Sequence, residues 1–375
     1  MRFTISSTAL LSRLQSVSRV IASKNSISIL DNILFELQGG KLKVTASDSE
    51  TTMETAIEVN ESDADGQFTV SGKSILDVLR EIPEQPISID VNTETYELKV
   101  GYMNGQLSLV GQNPLEYPKT PQIVKDDQLV EISVPASVLL NGISRTQFAT
   151  DNNEFRATMN GIYFDLTADD LTFVASNGHI LVRCKTNKVH SEGKAAFILP
   201  KKPALLMKNI LPKEDGDVRV MFNSRNAVFI MTDYILTCRL TEGRYPNYNA
   251  VIPKNPSNKI TIDRLTLIGA LKRVAICSMQ SGGLIRWTLG NPEFVKMSGQ
   301  DMDFSFSGEE TVPCLYEGVE MEIGFNSMFL IEMLQNIDSE QILIELVDQT
   351  RAGIITPIEQ DDDEDLLMLL TPMML

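Results

Sequence analysis

The sequence predicts an α+β protein of three similar domains, each made of two β-α-β-β-β units. Three observations predict it: a strand-then-helix phrase that recurs six times, its nearly constant spacing, and the alternating stretches that follow it. The phrases begin at Phe3, Phe68, Val130, Ala196, Lys259 and Met321, separated by 65, 62, 66, 63 and 62 residues. Such regularity marks duplicated units.

In the first phrase, FTISSTALLSRLQSVSRVI, a short alternating strand meets serines and then an aliphatic stripe of Leu10, Leu11, Leu14 and Val17 at helical spacing. FTVSGKSILDVLREI, VEISVPASVLLNGISRTQF, AFILPKKPALLMKNIL, KITIDRLTLIGALKRVAI and MEIGFNSMFLIEMLQNI repeat the pattern. The fifth carries a stripe of Leu265, Leu267, Ile268, Leu271 and Val274. Helices are expected over 7–21, 71–82, 135–148, 200–211, 263–276 and 325–337.

After the first helix come ILFELQGG, KLKVTASD and METAIEV, and after the second ISIDV, ELKVG and QLSLVG. Their period-two alternation between Gly, Asn and Asp turns marks antiparallel ribbons. One unit alone would leave a sheet face bare, so two units are expected to share a core. NPLEYPKTPQIVKDDQ near 113–128 and YPNYNAVIPKNPSNK near 245–259 read as extended linkers. The expected domains are 1–125, 126–254 and 255–375.

The chain has 375 residues, 43% apolar and 22% charged, which excludes a disulfide scaffold or a disordered tail protein. Cys184, Cys238, Cys277 and Cys314 form no CxxC pair and no cluster with the two histidines, His179 and His190, so neither a structural zinc nor a redox dithiol is expected. The start lacks a long apolar segment, and nowhere do 18 consecutive residues read as apolar; a cytoplasmic location is expected. The acidic run EQDDDEDLL reads as a solvated loop before the last strand, and it lacks the EF-hand spacing that calcium would need. No metal or cofactor is expected.

Fifty acids against 33 bases give a net charge of −17, which opposes generic attraction to nucleic acid. The predicted helices reverse the sign. They hold eleven bases (Arg13, Arg19, Lys73, Arg80, Arg145, Lys201, Lys202, Lys208, Arg264, Lys272 and Arg273) against four acids (Asp77, Glu81, Asp263 and Glu332). That surplus of seven leaves −24 for the remainder. With the apolar stripes facing the sheets, the bases lie on a shared surface suited to phosphates. Such contact positions a duplex without reading its sequence, and solvated helix faces could show the same arithmetic.

At this point the sequence resembles the bacterial DNA polymerase III beta subunit family along essentially its whole length. The residues that carry the resemblance are MRFTISSTALLSRLQSVSRVI, MNGIYF, SNGHILVRC, EGRYPNYNAVIPKNP and the terminal LLTPMML. It implies a head-to-tail homodimer, a sliding clamp closed around duplex DNA, with helices lining the ring and antiparallel sheets outside. Twelve helices about 10 Å apart would form a circle roughly 38 Å across and leave a hole of roughly 28 Å. The clamp would be a non-catalytic processivity factor, nucleoid-associated and opened by a separate ATP-driven loader. It would tether DNA polymerase and repair proteins through short hydrophobic peptides.

The resemblance also implies residues. Lys24, Arg145, Lys201, Lys202 and Arg273 are expected to face DNA. Gln106, Leu107 and Leu109 would meet Ile276, Cys277 and Phe304 of the second copy, although alternation alone also allows Leu107 and Leu109 to fill their own core. A cleft for partner peptides would be formed by Met159, Ser176, Gly178, His179, Leu181, Pro246, Val251, Ala352, Leu369, Thr371, Pro372, Met373 and Leu375. From residues alone, His179 reads equally as a turn residue, and LLMLLTPMML as either a buried last strand or a docking patch. Departures from the family are Ile180, Ala250 and Met374 where arginines are common, and Arg156, Ala157 and Thr158 where an aromatic pair often precedes Asn-Gly. The first three predict a more apolar cleft, and the last removes a stacking platform for DNA. The alternative is an open-groove, nonspecific DNA-binding accessory protein. An enzyme is disfavoured, because a Walker A sequence, a dinucleotide glycine motif and HExxH are all absent.

Overall fold

The computed structural model describes residues 1–121, 123, 129–278, 282–301 and 306–375. Six α-helices follow the six repeated strands: α1 (Ser7–Val17), α2 (Gly72–Arg80), α3 (Ala136–Thr146), α4 (Lys201–Ile210), α5 (Arg264–Ala275) and α6 (Ser327–Gln335). The break between strand and helix is a capping residue in four of them. Ser6, Ser71, Asp263 and Asn326 each accept a hydrogen bond from a first-turn backbone N–H, which satisfies a donor that the helix itself cannot.

The stripes bury as the spacing requires except at two positions, Leu11, which is half-buried, and Leu265. Leu10, Leu14 and Val17 of α1 are fully buried, as are Leu267, Leu271 and Val274 of α5 to within a few percent, but Leu265 is 65% exposed. At 100° per residue, Leu265 lies 200° from Leu267 and therefore points away from the sheet.

The chain divides into two compact units. The first comprises Met1–Ser137 and Leu205–Leu240, the second Val138–Ala204 and Thr241–Leu375. The first unit contains a five-stranded and an eight-stranded sheet; the second contains one of twelve strands. All recorded strand pairs are antiparallel.

The repeats interlock in a way alternation cannot reveal. The opening strand of each repeat pairs with a strand of its neighbouring repeat. Arg2–Ser6 pairs with Pro86–Val91, and Gly66–Ser71 pairs with Asn32–Gln38. The same exchange joins Val130–Pro135 to Asp217–Phe222 and Ala195–Pro200 to Gly161–Leu166. It recurs between Asn258–Asp263 and Gln341–Leu346, and between Met321–Asn326 and Leu284–Leu289. Within the first unit Phe35 stacks on Phe68 at 4.7 Å; within the second Phe164 contacts both Phe173 and Phe197, and Trp287 meets Phe325 edge-on.

Among the described residues, the strands with an open edge include Gly105–Val110 and Phe306–Glu317. Gly105–Val110 ends the five-stranded sheet. In Phe306–Glu317, residues 306–313 pair only with Phe294–Asp301, while residues 314–317 pair with Asn258–Asp263.

Candidate functional site

The strand Ile180–Thr186 pairs with Glu364–Leu370, which pairs in turn with Gly353–Pro357. Register sets Leu181 opposite Leu369, and Leu369 opposite Ile354, in one row across three strands. Side chains on alternate positions share a face, so these three project together. Val174, Ile198 and Tyr245 join them in a buried apolar cluster, with Tyr163, Tyr248, Ile252, Ala352 and Leu367 packed around it. Leu181, Ala352 and Leu369 are thus gathered at one place, while Val251 stays 57% exposed beside Ile252. Sequence reasoning did not single out the three tyrosines. The signal was present in YPNYN, where Tyr245 and Tyr248 flank the selected Pro246.

Ser176 and Gly178 shape the turn that delivers His179. Ser176 Oγ donates to Ile180 O at 2.7 Å and accepts from Gly178 N at 3.1 Å. Asn177 Oδ1 accepts from the N–H groups of both His179 and Ile180, and Gly178 has φ of +89°, a conformation natural to glycine. The His179 ring stacks on Phe329 at 5.6 Å, and its carbonyl accepts from Thr371 N at 2.9 Å. Met159 ends the preceding 3-10 segment Glu154–Met159, its carbonyl accepting from Asp151 N at 2.9 Å. Arg156 pairs with Asp151 at 3.0 Å and donates to Asn177 O at 3.1 Å, tying that segment to the turn.

The C-terminal residues cross to a different strand. Met373 N donates to Gly324 O at 2.8 Å, and Leu375 lies with Leu284 and Arg286 along a cavity of about 710 Å³. Thr371 and Pro372 bridge the two places. Ile180 corrects the expectation of a more apolar cleft: it is 2% exposed and alternates to the sheet face opposite Leu181. Ala250 and Met374 are exposed, the latter at 96%.

The basic residues differ in their freedom. Lys24 is exposed in the loop after α1. Arg145 is largely covered, its guanidinium 3.2 Å from Glu364 and 3.9 Å from Asp338. Lys201 donates to Asn152 Oδ1 at 2.7 Å, and Lys202 is half-buried beside it on α4. Arg273 is exposed but makes two hydrogen bonds to Glu310, which hold the Glu310 carboxyl below the ordinary glutamate range.

At the open edges, Leu107 and Leu109 stand opposite Val100 and Leu98. They continue a buried apolar row, yet Leu107, on a strand that ends its sheet among the described residues, is 39% exposed. Gln106 is exposed. Ile276 is 62% exposed, Cys277 is buried, and Phe304 lies outside the described residues. Among the described residues no group of three or more His, Cys, Asp or Glu side chains is arranged to hold a metal, and no helix is long and apolar enough to cross a membrane.

Comparison with known proteins agrees with the repeat pattern. The chain matches the DNA polymerase III beta subunit family as its N-terminal domain over 1–121, its central domain over 133–247 and its C-terminal domain over 249–371. It is 28% identical to the beta sliding clamp of Pseudomonas aeruginosa, covering 98% of this chain and 99% of that one. It is 27% identical to that of Escherichia coli over the full length of both. A solved structure of a DnaN sliding clamp from Pseudomonas aeruginosa, bound to griselimycin, covers 100% of both chains with a TM-score of 0.93 and 26% identity. The beta subunit from Thermotoga maritima, at 22% identity, shares the fold with a TM-score of 0.90 over 100% of this chain and 99% of that one.

Proposed function

Because the chain belongs to the DNA polymerase III beta subunit family, we propose that it is a replicative sliding clamp: a non-catalytic homodimeric ring that encircles duplex DNA and tethers the polymerase. The observation that carries this reading is the match to all three domains of the family in order, nearly end to end. Mechanism is then topological. A closed barrier prevents escape, while weak contacts to phosphates leave the ring free to slide.

The domains are 1–125, 126–254 and 255–375, each formed from two repeats that exchange their opening strands. The ring closes when the edge Gly105–Val110 of one copy meets the edge of Phe306–Glu317 in its partner, adding strand to strand and removing both open edges. Gln106, Leu107, Leu109, Ile276, Cys277 and Phe304 belong to that junction. Lys24, Lys201 and Lys202 supply DNA contacts, and Arg145 and Arg273 do so to the extent that phosphate competes with their carboxylates.

Short hydrophobic peptides of polymerase and repair proteins dock at the row of Leu181 and Leu369. Met159, Ser176, Gly178, His179, Pro246, Val251 and Ala352 form its surroundings, and Thr371, Pro372, Met373 and Leu375 its C-terminal side. Apolar anchors gain affinity by leaving water. Opening is the task of a separate ATP-driven loader, and the assembled clamp is associated with the nucleoid.

The test is topological as well. Loaded onto closed circular DNA, the protein should remain bound at high salt and be lost once the circle is cut. Equal retention on cut and uncut DNA would overturn the ring.

A further inference from the structure

Alternation along Gly161–Leu166 places Tyr163 and Asp165 on the same sheet face, two residues apart. Tyr163 stacks on Tyr245 with ring centroids 4.7 Å apart and an interplanar angle of 7°. Tyr248 lies at 60° to Tyr163, and its hydroxyl donates to Asp165 Oδ2 at 2.9 Å. With Lys194, Arg244 and Pro246, these residues wall a cavity of about 240 Å³. Small-molecule sites commonly occupy about 300–1,000 Å³, so this one suits a single side chain.

The chemistry of the walls narrows the occupant. The Oδ1 atom of Asp165 is buried and has no hydrogen-bond partner, an arrangement that a bound N–H donor would relieve. The tyrosine rings offer a flat apolar surface for a planar group. Lys194 and Arg244 are exposed at the rim, and two cations against one carboxylate oppose a guanidinium or ammonium but favour a nearby anion.

We propose that this cavity is a subsite for a partner peptide carrying a tryptophan next to an acidic residue. The indole lies against the tyrosines and donates to Asp165 Oδ1, while the acidic side chain meets Lys194 and Arg244. The proposal rests on the reading that this face binds peptides. Continuity supports it: Tyr163, Tyr245 and Tyr248 pack on the cluster that holds Leu181 and Leu369, and Pro246 lines the cavity. An unpaired nucleotide also combines a flat ring with an anion, but nothing joins it to the apolar row.

The test titrates N-acetyl-Asp-Trp-amide into the full chain, followed by NMR, with N-acetyl-Lys-Trp-amide as its charge-reversed control. Saturable binding is expected, at least fivefold weaker for the lysine probe. Asp165→Ala should weaken the Asp-Trp probe about tenfold, and the surface change Lys194→Glu about fivefold. N-acetyl-Leu-Leu-amide, which reports on the apolar row, should bind wild type and Lys194→Glu alike. If it binds while the Asp-Trp probe does not, the subsite is wrong and the peptide-binding face stands; if neither binds, both fall. Undiminished Asp-Trp binding in Lys194→Glu, or tighter binding of a five-nucleotide single strand than of the Asp-Trp probe, also overturns the subsite.

Discussion

Arg273 of α5 donates from Nε to Glu310 Oε2 at 3.0 Å and from Nη2 to Glu310 Oε1 at 2.5 Å, so that a base expected to meet DNA is held by an acid on the strand Phe306–Glu317. The fork geometry matches guanidinium to carboxylate as it would match guanidinium to phosphate. Bound duplex and Glu310 therefore compete for one group. Replacing Glu310 by Gln should tighten nonspecific duplex binding about two- to fivefold at low salt and steepen its salt dependence by about one counterion. Fluorescence anisotropy across a salt series reads both quantities; an unaltered slope would remove Arg273 from the DNA-facing set.

The exposed edge makes a second prediction. Changing Leu107 and Leu109 together to Asp places charge on an apolar row that the partner strand is proposed to cover. The solution mass should fall from the dimer to a single chain of 41.7 kDa. A dimer that persists at micromolar concentration would move the junction elsewhere.

Removing residues 373–375 deletes the backbone bond from Met373 to Gly324 and the Leu375 side chain, but leaves the last strand, Glu364–Leu370, intact. Binding of hydrophobic partner peptides should drop at least tenfold with the dimer mass preserved. Retained affinity, measured by calorimetry, would confine the cleft to the Leu181–Leu369 row.

Asp263 caps α5 by accepting from Thr266 N at 2.7 Å, and hydrogen bonds from Thr266, chiefly its hydroxyl, hold the Asp263 carboxyl below its ordinary value. Loss of such a cap costs about 1 kcal/mol. A depressed folded-state pKa contributes stability above the unfolded value of 3.8 that is lost as pH falls through the folded value. Asp263→Ala should therefore be less stable than wild type in urea at pH 7, with the difference shrinking below about pH 4. A difference of the same size at pH 3 would argue that the carboxylate does not cap the helix.

Helix positions were largely legible because most phrases carry their own start chemistry. The strand Met321–Asn326, its capping Asn326 and the stripe of α6 are all local. Leu265 misled because an apolar residue at the start of a helix can satisfy a spacing pattern without facing the core. Ile180 misled for a related reason: correspondence with a position in the family says which residue is present, but one step along a strand reverses the face. The cleft residues were found in part. Leu181 and Leu369 lie 188 positions apart, and only the pairing of their strands makes them neighbours. Tyr163 and Asp165 gave no signal in isolation, since their importance comes from rings and cations supplied by other segments.

The sequence by itself determined the repeats, the alternation of strand and helix and the family, because propensity, periodicity and order act over neighbouring residues. Tertiary structure alone decided which strand each opening strand would join, which edges would stay open, and which acids would occupy Arg145 and Arg273. Those outcomes depend on hydrogen bonds and charges from distant parts of the chain, whose pairing no local pattern encodes.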